Sequence, residues 1–294
     1  MTRGKTDITL PFRGGLSLRI VTHPGRWMKA SDRDALVADL HAVADDATPG
    51  GPLRYGVLAG TRRALKAAVL CVAYERGSGT PVAFSAATLL GGAGSGRDTV
   101  LHIGLCIIRK AYRSRGLCLA ISAAGPLAVF LRGGLRPLWV TNVTQVPAAA
   151  GLFASMVEQV YPAPGLAAPP TPEHLRVAQA LMGRRDVCGV GPDADFDRDA
   201  FVIRNAYTGG SDGLKKSYAE CASHRDGAFG RFCLRRLDYL RGDDLLQVGR
   251  LTVAHAVRAV GQVVLRATGL RRLASILTPG RSARPAVATS HNVS

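Results

Sequence analysis

Alternating apolar and polar positions in the first half of the chain predict a series of short strands. Leu16–Thr22 alternates, and the apolar runs Ala67–Tyr74 and Pro81–Leu90 are joined by a Gly-Ser-Gly-Thr turn. Thr99–Ile108 follows a glycine-rich loop, and Leu138–Val143 comes later. Because the turn after Tyr74 is tight, we expect the middle strands to form an antiparallel meander.

A second period, with apolar residues three and four apart, predicts helices between and after these strands. Ser31 is expected to cap a helix that runs to Ala47, with Leu36 and Leu40 on its buried face. Further helices are predicted over 117–131 and 148–157. The pattern indicates an α+β fold, a mixed and mostly antiparallel central sheet flanked by helices.

The composition of successive segments suggests how the chain is organised. We expect residues 1–15 to be an irregular lead and 16–250 to be one domain, with a core over 16–160 and an extension over 161–250. Residues 251–278 are predicted to form an amphipathic helix, and 279–294 a disordered tail. The extension is expected to add a helix and two strands.

The charge of the chain is strongly basic, with 38 Lys and Arg against 21 Asp and Glu and a net charge of +17. Two interpretations stay open: a surface that meets an anion, and arginine-rich codon usage, since only six of the basic residues are lysines. Nucleic acid is not expected as a partner, because aromatic residues are only 6% and no aromatic-rich basic strand occurs.

The N-terminal segment and the cysteines indicate in which cellular compartment the protein is expected. We expect a cytoplasmic protein, since no signal-type or membrane-spanning apolar run occurs and the six cysteines form no C-x-x-C pair. A peripheral membrane contact or self-association through 251–277 is left open. No metal site is expected, because the cysteines and histidines lack zinc-ligand spacing.

One segment carries a candidate chemistry. The predicted strand Thr99–Ile108 runs into a turn containing Arg109, Lys110, Arg113 and Arg115, and a helix is predicted to start after Gly116. The first N–H groups of a helix lack internal partners and carry positive potential, so they bind anions. The turn therefore predicts a pyrophosphate cradle, although a solvated basic turn has the same composition.

The order of elements around this turn, with Arg113-Ser114-Arg115-Gly116-Leu117-Cys118, resembles the GNAT superfamily of acyl-CoA N-acyltransferases. The family motif is Gln/Arg-x-x-Gly-x-Gly/Ala, so Cys118 replaces the usual last small residue. The resemblance covers about residues 16–160 and is sharpest over 99–120. It implies acetyl-CoA or another acyl-CoA as co-substrate. The residues it places at the cofactor are Leu105, Cys106, Ile107, Arg109, Arg113, Ser114, Arg115, Gly116, Leu117 and Cys118.

The family's second landmark is only partly present. Val146 occupies the place of a usual Asn and Phe153 that of a usual Tyr, although Ala149 is kept. In the family that Tyr often protonates the departing CoA thiolate. Ser155 and Tyr161 are the nearby hydroxyl candidates for this role, and water is the alternative, since a thiolate is a fair leaving group.

A candidate base lies on the strand before the turn. His102 is eleven residues before Arg113, where some family members carry a Glu. Alternation places His102, Gly104 and Cys106 on one face, with Gly104 leaving room for a substrate. Such a histidine would take the proton of an attacking amine; the alternative is a buried histidine with a structural role.

These observations predict an N-acyltransferase. An acyl group, expected to be acetyl, would pass from acyl-CoA to a primary amine by direct attack in a ternary complex, with a small molecule as acceptor rather than a protein. The alternative is a non-catalytic basic protein that binds CoA, nucleic acid or an anionic membrane. The acceptor, acyl length and oligomeric state are not encoded in any recognisable motif.

Overall fold

A computed structural model describes residues 5–48, 53–91, 99–208 and 211–268, with side chains up to residue 261. Ten strands form the sheet: β1 Thr6–Phe12, β2 Leu16–Thr22, β3 Ala68–Glu75, β4 Pro81–Leu90, β5 Val100–Ile108, β6 Leu138–Thr144, β7 Glu158–Tyr161, β8 Asp195–Asp197, β9 Val202–Arg204 and β10 Asp244–Leu251. The helices are α1 Pro24–Trp27, α2 Ala30–Ala47, α3 Arg62–Lys66, α4 Leu117–Arg132, α5 Pro147–Met156, α6 Pro172–Met182, α7 Arg185–Cys188, α8 Gly227–Arg236 and α9 Val253–Thr268.

The strands lie in the order β1-β2-β3-β4-β5-β6-β10-β9-β8, with β7 pairing β10. Neighbours are antiparallel except β5 and β6, which are parallel and are connected through α4. The short turn between β3 and β4 produces the predicted meander. The expected fold class, a mixed and mostly antiparallel sheet flanked by helices as the GNAT resemblance implies, is confirmed.

Helices cover both faces of the sheet. On β3, Leu70 packs into the cluster that holds α2, whereas its neighbour Val69 packs into the cluster that holds α4. On β6, Trp139 packs against α6 and Val140 against α5. Because successive strand residues point to opposite faces, α2 and α6 cover one face, and α4 and α5 cover the other.

The structure corrects the boundaries at the start of the chain. Residues 6–12, expected to be irregular, form β1, which pairs along its whole length with β2. The pairing is through the backbone: Ile8 and Leu10 stay exposed, and Pro11 is tolerated because β1 is an edge strand. Helix α2 starts two residues earlier than predicted, with Lys29 at its cap position instead of Ser31.

The predicted extension contributes to the same sheet. β10 pairs with β6 over seven residue pairs, from Leu245–Thr144 to Leu251–Leu138. The predicted C-terminal helix begins at Val253, and Ala256 and Ala259 are buried. The part of that prediction after residue 268, including the expected tail 279–294, lies outside the described residues. In the described ranges no helix is both long enough and apolar enough to cross a bilayer.

The packing of α2 on the sheet can be tested with Leu40→Ala. Leu40 is fully buried between α2 and the sheet, so truncation leaves a cavity and should lower the free energy of unfolding by about 3 kcal/mol. Leu131→Ala is the matched control, because Leu131 is 61% exposed, and should change it by less than about 0.5 kcal/mol. Urea unfolding measures both; equal losses would contradict the assigned packing.

Candidate active site

The parallel strands β5 and β6 separate at their carboxyl ends. Their pairing runs from Val100–Trp139 only as far as Ile103–Asn142, although β5 continues to Ile108. At the same point the β4–β5 register passes from Ala87–Ile103 to Ser85–Cys106, so β5 carries one extra residue. Such a bulge bends a strand and increases its twist. β5 therefore turns away from β6 and leaves a gap in the sheet.

A cavity of about 450 Å³ occupies this gap. On the α4 and α5 side its wall includes Cys118, Ser122 and Phe153, and on the α2 side it includes Thr48 and Tyr55. A ligand in the cavity would thus pass between the strands and be reached from both faces of the sheet. A cavity of this shape can admit two ligands, one from each face of the sheet.

The turn before α4 contains two residues in the left-handed backbone conformation. Gly116, at the cap position of α4, has a φ of 75°, and Ser114 has a φ of 62°. Left-handed residues here turn successive backbone N–H groups to one side, and Gly116 does so without a Cβ clash. In this described segment no side chain caps the helix start. The start of α4 thus has the backbone geometry that binds anions at other helix N-termini.

The basic side chains of the turn have different positions. Arg113 lines the cavity, and its Nε donates to the carbonyl of Ile108 at 3.2 Å. Arg115 stacks on the ring of Tyr112, and its carbonyl accepts a hydrogen bond from Arg13. Arg109 donates to the carbonyl of Ala42 on α2 and so holds the turn against that helix. One predicted cation therefore lies directly at the cavity.

The ten predicted cofactor residues divide into two groups. Five line the cavity: Leu105, Cys106, Ile107, Arg113 and Cys118. The other five form the turn and the helix start or face α2: Arg109, Ser114, Arg115, Gly116 and Leu117. Cys106 and Cys118 are in contact, with 3.6 Å between their sulfurs, and this contact raises the pKa of the Cys106 thiol.

His102 lies behind the cavity wall. Its side chain is 1% exposed, its Nδ1 is 3.1 Å from Thr141 Oγ1, and burial lowers its pKa to about 4. The bulge places Cys106 on the opposite face, so His102 and Cys106 do not share a face as alternation predicts. Gly104 lines the cavity between them, and a Cβ there would lie 3.8 Å from Nε2 of His102. Gly104 therefore lies between the imidazole and the cavity.

The two hydroxyl candidates are used elsewhere in the described structure. Tyr161 is 8% exposed in the cluster under α6, and its hydroxyl donates to the carbonyl of Asp199 at 3.2 Å. Ser155 is exposed on α5 and donates to the carbonyl of Leu152 in its own helix. The structure does not bring these hydroxyls to the cavity, whereas Phe153 and Val146 do line it.

The sequence analysis missed polar residues on the α4 and α5 side of the cavity. Asn142 on β6 lines it, and its Nδ2 donates to Gln247 Oε1 on β10 at 3.3 Å. Ser122 on α4 lines it and donates to Cys106 Sγ at 3.3 Å. Asn142 sits inside an apolar strand, and this is the one signal that could have identified it.

The α2 side of the cavity is enclosed by the extension. Leu214, Lys216 and Tyr207 contribute to its wall. Gln145, which follows β6 and is 2% exposed, holds these residues of the extension in place. Its Nε2 donates to the carbonyl of Leu214 at 2.8 Å, and its Oε1 accepts from the backbone N–H of Lys216. The extension therefore forms the wall of the cavity on the α2 side. In the described residues, no three His, Cys, Asp or Glu side chains converge as a metal site requires.

Neither a scan of protein-family models nor a search of curated proteins gives a match. Among solved structures, the chain is similar to an acetyltransferase of Trypanosoma brucei, with 19% identity over 40% of this chain and 77% of that chain and a TM-score of 0.27. It is also similar to an aminoglycoside acetyltransferase from an uncultured soil metagenomic sample (20% identity, 42% and 76% covered, TM-score 0.29). A third is the ribosomal-protein-S5-alanine acetyltransferase of Vibrio fischeri (13%, 52% and 86%, TM-score 0.34). These scores are low, and the fold assignment stands on the strand order and turn geometry of the chain itself.

The burial of His102 can be tested by the pH dependence of stability. The unfolded imidazole titrates near 6.5 and the folded one near 4, so the native state of the wild type should lose stability as pH falls from 6.5 towards 4. His102→Gln removes this loss, which is at most about 1.4 kcal/mol per pH unit. Urea unfolding at several pH values measures the difference between the two proteins. Parallel stability curves would contradict a buried neutral imidazole.

Proposed function

We propose that the protein transfers an acyl group from acyl-CoA to a primary amine in a ternary complex. The observation that carries this proposal is a single cavity in the gap between β5 and β6, with the uncapped N-terminus of α4 beside it. One end offers backbone N–H groups and Arg113 to a phosphorylated substrate, and the other end is shaped by the extension. Acetyl-CoA is the donor we propose.

Two parts of the donor would contact the protein, the charged pyrophosphate and the extended pantetheine arm. Its pyrophosphate would accept hydrogen bonds from the N–H groups at the start of α4, supported by the helix dipole and Arg113. Its pantetheine arm would extend along β5, where Leu105 and Ile107 line the cavity. Asn142 and Ser122 supply amide and hydroxyl groups near that path.

The thioester would lie where β5 and β6 separate. Backbone N–H groups freed by the bulge would polarise its carbonyl and stabilise the tetrahedral oxyanion. The amine would enter from the α2 side and attack the carbonyl carbon, and the C–S bond would break as the thiolate leaves. Ser155 and Tyr161 are not placed to protonate it, so water is the proton source we propose for the thiolate.

His102 stays a candidate base with one route to the amine. Because its imidazole is behind Gly104, a water molecule would have to carry the proton from the amine to His102. A base with a pKa of about 4 is neutral at pH 7 but has little tendency to hold a proton. The role of His102 is therefore tested below in the same assay as a second route for the proton.

The donor site is tested with Gly116→Glu. The substitution adds a carboxylate at the helix start and a side chain at a φ of 75°, so it should weaken acetyl-CoA binding at least tenfold, about 1.4 kcal/mol or more. Gly134→Glu is the matched control, because Gly134 follows the other end of α4 with a φ of 71° and open space around it. Titration calorimetry should show one-site binding by wild type and by Gly134→Glu.

Two outcomes would contradict the proposed donor site. Folded wild-type protein that does not bind acetyl-CoA would rule out the acyltransferase. Binding that falls steeply with salt and is equal in both glycine variants would instead indicate the non-catalytic basic protein, which recognises charge alone.

A further inference from the structure

A tyrosine–aspartate pair lies at the α2 side of the cavity, and none of the roles described above uses it. Tyr207 is part of the cavity wall, and its hydroxyl donates to Oδ1 of Asp244 at 2.8 Å. Asp244 begins β10 and is 5% exposed. The pair thus connects the cavity to a buried carboxyl group through a single hydrogen bond.

The surrounding backbone is shaped to seat this tyrosine. Gly242 has a φ of 85°, and a Cβ there would lie 3.2 Å from Cδ2 of Tyr207 and 3.2 Å from Cε of Lys215. The ring of Tyr207 therefore packs directly against the backbone of Gly242. Its hydroxyl is held by Asp244, so its orientation is fixed before any substrate binds.

The charges around Asp244 leave it without a basic partner of its own in the described structure. The adjacent Asp243 takes the nearby guanidinium, because Arg241 Nη2 is 2.6 Å from Asp243 Oδ2. Burial raises the pKa of Asp244 to about 7, and the hydrogen bond from Tyr207 opposes this shift. Other titratable groups that face Asp244 or Tyr207 are Tyr55, Cys188, Lys215, Cys221 and Tyr239. A carboxyl group in this setting changes its charge in the physiological range.

We propose that Tyr207 is a catalytic residue that receives the proton of the acceptor amine and passes its own proton to Asp244. The inference rests on the proposed acyl transfer. An N–H bond of the substrate ammonium breaks as an O–H bond forms on Tyr207 Oη, and the phenolic proton moves to Oδ1 of Asp244. The neutral amine then attacks the thioester carbon, the C–S bond breaks, and the second proton of the nitrogen passes through water to the leaving CoA thiolate. After the product leaves, the proton returns through Tyr207 to water.

The transfer must be concerted, because burial raises the pKa of Tyr207 well above its usual value and a free phenolate is costly. Asp244 thus acts through Tyr207 and does not touch the substrate. Two other groups are less well placed. His102 is behind Gly104, and Oε2 of Glu220 accepts hydrogen bonds from the hydroxyl and N–H of Ser217 at 2.7 and 2.8 Å, which lower the pKa of the carboxyl group and weaken it as a base.

The test measures release of CoA thiol from acetyl-CoA with 2-phenylethylamine, chosen because Tyr55, Tyr207 and Leu214 give this end of the cavity an aromatic and apolar wall. Formation of the N-acetyl product is confirmed by mass spectrometry. The proteins are wild type, Tyr207→Phe, Asp244→Asn and His102→Gln, measured from about pH 5.5 to about pH 9. Tyr74→Phe is the matched control, since Tyr74 donates to Asp39 Oδ2 at the same 2.8 Å away from the cavity.

We expect the wild-type kcat to rise with pH through about 7, because the ionised form of Asp244 accepts the proton. Tyr207→Phe should lower kcat about 100-fold with the KM for acetyl-CoA unchanged, and Asp244→Asn should remove the rise. Tyr74→Phe should stay within about twofold of wild type. Tyr207→Phe keeps the ring, so it provides the test even where Asp244→Asn does not fold.

Three results would overturn the inference. If folded Tyr207→Phe keeps the wild-type kcat and pH profile, Tyr207 is not catalytic. If His102→Gln alone removes the rise, the proton leaves through His102. If wild-type protein binds acetyl-CoA but acylates neither 2-phenylethylamine nor other primary amines, the proposed function fails as well. An inactive wild type distinguishes this outcome from the first two, in which the wild type is active.

Discussion

The separation of β5 from β6 after the Ile103–Asn142 pair is the constraint on which the rest of the site depends. A continuous sheet would close the cavity, since paired strands lie about 4.8 Å apart and leave no space between them. The bulge in β5 opens the sheet, and α4, which connects the two strands, is thereby brought with its N-terminus to the edge of the gap. The proposed anion site and the proposed reaction site both depend on this one local irregularity.

The two ends of the cavity use different physical means. At the α4 end, recognition relies on backbone N–H groups and a helix dipole, which need only a glycine and a left-handed turn. At the α2 end, recognition depends on side chains supplied by segments distant in sequence, which Gln145 holds together by its amide. The proposed donor end is therefore built from one local segment, and the proposed acceptor end from several distant ones.

This difference explains how much the sequence could predict. The meander, the helices and the turn at Arg113–Cys118 are local patterns, and periodicity and a short motif identified them. Tyr207, Asp244 and Asn142 reach the cavity only through long-range pairing, which no local pattern encodes. His102 shows a further limit: alternation predicts one face for His102 and Cys106, but a single extra residue in β5 reverses it. The edge strand β1 was missed because backbone pairing with β2 holds it in place, while Ile8 and Leu10 stay exposed.

The pairing of β10 with β6 has a consequence for how the protein folds during its synthesis. The Asn142 amide that lines the cavity contacts Gln247, a residue 105 positions later in the chain. A ribosome would thus have to synthesise nearly the whole described chain before β6 gains its second neighbour. Until then β6 presents an open edge, and such long-range pairing is characteristically slow to form. The donor turn can form early, whereas the complete cavity is among the last parts of the molecule to appear.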